Sequence, residues 1–107
     1  MSRREQIEAM LADDPEDVFL RYSLAMELRS EGETDQSLGL LEQLTKHDPP
    51  HVASFFMAAQ QLVERQEIEA ARTYLRDGIE EARRQNDSHA AAEMSELLSS
   101  LGSWDEL

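Results

Sequence analysis

Cysteine is absent from this chain, so no disulfide, thiolate metal site or cysteine nucleophile is available. That composition fits a reducing, cytoplasmic compartment. The four glycines are scattered, which rules out a glycine-rich phosphate loop, and no serine stands in a Gly-x-Ser-x-Gly setting. Lysine occurs once, at Lys46, beside nine arginines, and aromatic residues number six. No run reaches the ~18 apolar residues of a membrane span. The stretch from Met1 to Leu11 is charged and unlike a secretory signal. Asp105-Glu106-Leu107 follows Trp104 rather than lysine, unlike an ER-retention signal.

Acid and small apolar residues are what the chain has in quantity. Against 10 basic residues stand 23 acidic ones, for a net charge of −13 spread along the sequence. Such a surface repels nucleic acid and anionic lipid, so neither is expected as a partner, and a basic or apolar protein segment is favoured. Apolar residues make up 40%, mostly alanine and leucine, enough for one packed domain of 107 residues.

Helical spacing runs throughout, with no strand alternation. Ser2 and Glu5 form a capping box for a helix to about 12, with Ile7, Met10 and Leu11 on one face. Asp14, followed by Pro15, is expected to cap a second helix carrying Val18, Leu20, Leu24, Ala25 and Leu28, ended by Gly32. Thr34 is expected to cap a third, to about 47, that turns Leu38, Leu41 and Leu44 inward. Gly39 lies mid-helix without evident reason. Asp48-Pro49-Pro50 starts a fourth helix, about 50–65, and a fifth runs from about 67 to 84. After the polar break Gln85-Asn86-Asp87 a sixth runs from about 88 to 101.

These helices repeat. Asp14-Pro15 returns 34 residues later as Asp48-Pro49, Leu28 as Leu62 and Leu41 as Leu75. The period and its places resemble the tetratricopeptide repeat, whose pattern is W-x2-L-G-x2-Y, then A-x3-F, then P. Arg21, Leu24, Ala25, Leu28, Ser37, Leu41 and Pro49 take these places in one unit, and Phe55, Ala58, Ala59, Leu62, Ala71 and Leu75 in the next. Arg3, Ile7 and Pro15 fit the end of an earlier unit. Ala91, Met94, Ser95 and Leu98 fit the start of a later one after a two-residue slip. Arg21, Ser37 and Arg83 depart from the pattern, and Arg21 is expected to lay its stem over the core with its charge outside.

The resemblance implies an all-α, antiparallel helix-pair superhelix of about six helices in a single domain, 1–107. Its parts are a half repeat at 3–15, full repeats at 16–49 and 50–84, and a terminal helix at 88–101. It also implies a non-catalytic interaction module holding a helix or peptide in a concave groove. Groove places fall on Phe19, Tyr22, Met26 and Arg29, on Phe56, Met57, Gln60 and Val63, and on His89, Ala92, Glu93 and Glu96. Lys46 and Asn86 lie at no groove place, so the grip on acidic chaperone tails known in the family is not carried over. Two alternatives stay open. The apolar face finishes the core or is covered by the Trp104 tail, or it pairs two copies into a homodimeric scaffold.

Chemistry has little to work with. His47 and His51 have zinc-like i,i+4 spacing, but Pro49 and Pro50 break any helix between them, and both read as exposed loop residues. The pairs Asp13-Asp14 and Glu80-Glu81 lack the pattern of a calcium loop. No metal, cofactor or catalytic residue is expected. Leu24, Leu28, Leu41, Ala58, Leu62, Ala71 and Leu75 are expected in the core because each recurs at the repeat offset. Leu41→Ala should cost about 2–5 kcal/mol, read as a clearly lower thermal midpoint.

Overall fold

A computed structural model describes residues 1–102. Six helices follow one another: α1 Arg3–Asp13, α2 Val18–Ser30, α3 Thr34–Thr45, α4 Val52–Glu64, α5 Ile68–Arg84 and α6 Ser88–Gly102. No strand occurs among the described residues. The chain forms two compact units, Met1 to His51 and Val52 onward. The repeat is visible in the bounds themselves, because α4 begins and ends 34 residues after α2, and α5 begins 34 after α3.

One turn geometry ends helices α2, α4 and α5. After α2, the Gly32 N–H donates to the Arg29 carbonyl at 3.1 Å and the Glu33 N–H to that of Leu28 at 2.8 Å. Gln66 and Glu67 repeat these bonds to Val63 and Leu62, and Asn86 and Asp87 to Arg83 and Ala82. The pivot residue is left-handed each time, with φ of 82° at Gly32 and 63° at Gln66 and Asn86. This is the Schellman arrangement, which uses up carbonyls that would otherwise dangle and turns the chain back.

In the first unit α2 packs on both α1 and α3. The capping box forms as expected, with Ser2 and Glu5 exchanging two bonds of 3.1 Å. Arg3 reaches Glu27 at 2.7 Å and Arg4 reaches Glu31 at 2.9 Å, tying α1 to α2. Ile7, Ala25, Leu28, Leu41 and Leu44 are buried, whereas Met10 is exposed. Leu24 is only half-buried, unlike Ala58 at the same repeat place, since an isobutyl group reaches further than the methyl that such a seat encloses. Ser37, standing where the family has alanine, is fully buried, and its hydroxyl donates to the Ala25 carbonyl at 2.7 Å. A buried hydroxyl is tolerated there because it is satisfied. Arg21 is half-buried and donates to Gln43 Oε1 at 3.2 Å.

Two caps and one pair of helix bounds differ from expectation. Asp17, not Asp14, caps α2, accepting from the Leu20 N–H at 2.8 Å. Asp14 is still engaged as the end of α1, its N–H donating to the Met10 carbonyl, so Pro15 and Glu16 are spent on a turn. Thr34 is already helical. Glu33 precedes it with no side-chain cap, because its backbone closes the turn at Gly32. Helix α3 stops at Thr45, and the His51 N–H returns to the Leu44 carbonyl, which delays the start of α4 to Val52.

In the second unit α5 packs on both α4 and α6. Phe55, Ala58, Ala59, Leu62, Ala71, Leu75, Ile79, Ala82, Ala91, Met94 and Leu101 form the core. Gly78 sits where α5 comes closest to its neighbours. A Cβ there would lie 2.6 Å from both Phe55 Cβ and Met94 Sδ. Gly39, by contrast, faces open space. Gly39→Ala should therefore stabilise by about 0.5–1 kcal/mol, and Gly78→Ala should destabilise by about 1–3 kcal/mol, in the same denaturant titration. Gln66→Gly, which restores at the second turn the residue found at the first, should raise stability by about 0.5–1 kcal/mol by relieving a left-handed side chain. An unchanged urea midpoint would contradict that account of the turn.

Candidate partner-binding surface

In the first unit the expected surface lies along α2. Phe19 comes two residues after the Asp17 cap, so its ring is set in the first turn, and it is 74% exposed. Tyr22, Met26 and Arg29 follow at helical spacing and are half-buried. Tyr22 is not bare, since the His51 ring packs edge-on against it with centroids 4.9 Å apart and planes at 60°. His51 is thus half-buried rather than an exposed loop residue, held there by its N–H bond to Leu44. Burial, with the nearby His47, lowers its pKa from the ordinary imidazole value, and burial raises that of the Tyr22 phenol. His47 is turned elsewhere, its Nδ1 lying 3.0 Å from the Pro49 carbonyl. Among the described residues no group of three or more His, Cys, Asp or Glu could hold a metal ion. No helix there is long and apolar enough to cross a membrane.

In the second unit Phe56, Met57, Gln60 and Val63 are all partly exposed on α4. Phe56 joins Glu93, Glu96, Leu97 and Ser100 of α6 around an open cleft of about 350 Å³. The expected α6 set therefore divides. Glu93 and Glu96 line this cleft, while Ala92 lines another of about 540 Å³ with Arg83, Asn86, Ser88, Ala91 and Ser95. His89 is exposed, and its Nε2 sits 3.1 Å from Glu93 Oε1. Leu97 and Ser100 were not expected at the site. Positions 93, 96, 97 and 100 make one helical stripe, a signal masked by fitting α6 to the repeat pattern with a two-residue slip. Trp104 lies outside the described residues.

No protein-family model matches this chain, and no curated protein sequence matches it. Solved structures do. The solution structure of a tetratricopeptide repeat domain protein from Salinibacter ruber is 26% identical, covers 81% of this chain and 88% of its own, and has a TM-score of 0.77. A crystal structure of a tetratricopeptide repeat domain protein from the same organism is 25% identical over 82% of this chain and 98% of that one, with a TM-score of 0.75. A Bordetella parapertussis protein solved in solution shares the fold over 98% of this chain and 91% of that one, at 23% identity and a TM-score of 0.82. The 34-residue recurrence of helix bounds, the repeated left-handed turns and these neighbours together make the chain a tetratricopeptide-like helical-repeat protein.

Proposed function

We propose that this chain is a non-catalytic protein–protein interaction module that holds a helix or extended peptide of a partner protein on an apolar–aromatic helix face, of the kind α2 carries in the first unit and α4 in the second. Helical repeats of this kind serve protein interaction generally, offering extended surface rather than a reaction centre. The observation that carries the reading is Phe19, a large ring 74% exposed on a chain of net charge −13. Phe56, Met57 and Val63 offer half-exposed apolar surface on α4, with Gln60 among them as a polar contact. Aromatic and methionine side chains are the usual adaptable anchors of such contacts. The acidic surface favours a basic or apolar protein segment over nucleic acid or anionic lipid. The reading invokes no cofactor and places the protein in the cytoplasm.

A second copy of the chain is the alternative partner, favoured by Met10 and Phe19 both standing exposed in the first unit. Selection of displayed random dodecapeptides on the full chain, with sedimentation across a concentration series, tests both readings. Tyr22→Ala combined with Phe56→Ala should weaken the selected peptides at least tenfold, ~1.4 kcal/mol, with helical content retained. A dimer that the same double change dissociates would favour self-association. Undiminished peptide affinity would move the binding surface elsewhere.

A further inference from the structure

In the second unit arginine is confined to α5 and the turn before it, where Glu69, Asp77, Glu80 and Glu81 stand beside it. The unit's arginines are Arg65, in the turn after α4, and Arg72, Arg76, Arg83 and Arg84, all on α5. Helices α4 and α6 contain neither lysine nor arginine, and their only acidic residues are Glu64, Glu93 and Glu96. The cleft between α4 and α6 thus has an apolar part, Phe56 and Leu97, and two carboxylates one helical turn apart. Ser100 donates its hydroxyl proton to the Leu97 carbonyl at 2.7 Å. The cleft lining itself holds no lysine or arginine, and Glu93 lies 3.1 Å from the His89 Nε2.

We propose that this cleft seats an arginine or lysine side chain of a partner peptide, its stem on Phe56 and Leu97 and its cationic head between Glu93 and Glu96. This rests on the interaction-module reading and assigns the chemistry of the ligand. Long basic side chains lay an apolar stem on apolar surface while their charge stays near solvent. A phenylalanine ring attracts a cation, and carboxylates strengthen the donor bonds they accept. The volume of about 350 Å³ suits one long side chain rather than a folded element. Charge disfavours the other occupants. The segment after Gly102 would bring Asp105 and Glu106 against two glutamates, and a second copy carries −13 itself.

The test uses displayed dodecapeptides on the full chain, on the Glu93→Gln/Glu96→Gln variant, and on a Glu69→Gln/Glu80→Gln control with the same change of net charge on α5. Selected peptides should carry arginine or lysine beside an apolar residue. They should bind the first variant at least tenfold more weakly, bind the control as they bind the parent, and weaken as salt rises. Peptides without arginine or lysine, or with equal affinity for the first variant, overturn the inference and leave the module reading standing. A dimer that Phe56→Ala dissociates puts a second copy in the cleft and overturns it too. No selected peptide on a monomeric chain overturns both readings.

Discussion

The left-handed backbone at Gly32, Gln66 and Asn86 is the constraint on which the other features depend. A helix of alanine and leucine has no intrinsic reason to stop at Ser30 or Glu64. At each of these points a single residue with positive φ takes the chain off the helix and lets two N–H groups reach back to orphan carbonyls. The next helix then starts on the same side as the last, and its apolar stripe meets the one just made. Gln66 occupies this place without glycine's freedom, so the second turn is held by the packing of α4 and α5 as much as by its own preference.

Close approach then depends on small residues. Ala25, Ala58, Ala59, Ala71 and Ala82 are fully buried, and Gly78 leaves no room even for a methyl group against Phe55. Where the family's alanine is replaced by Ser37, the hydroxyl finds a carbonyl on the facing helix. Charged side chains stay outside the core. In the second unit α4 and α6 hold no lysine or arginine, so the cleft between them is lined by Glu93 and Glu96 without either.

The sequence discloses these elements unequally. The helix pairs were legible because Asp-Pro, leucine and alanine recur at one offset, and packing demands the same residue types wherever the same contact recurs. The starts of helices were less so. Asp14 and Asp17 are equally good caps by type, and the structure decides between them through the Asp14 N–H bond to Met10 and the Leu20 N–H bond to Asp17. On the surface, Phe56, Glu93 and Glu96 could be named from spacing, while Leu97 and Ser100 were hidden by forcing a terminal helix into the repeat register. The covering of Tyr22 by His51 was hidden more deeply, since a histidine between prolines and a helix start carries no periodic signal.

The packing order within each unit also bears on how the chain folds. Helix α2 touches the helices before and after it, and so does α5, so almost every close contact joins sequence neighbours. Chains with such local contacts fold fast, because little loop entropy is lost before a contact forms. Of the two middle helices, α5 is the longer, at 17 residues against 13, and it holds Gly78 between Phe55 and Met94. Both neighbours of that helix pack on it, so the tight crossing at Gly78 fixes the register in which they meet it.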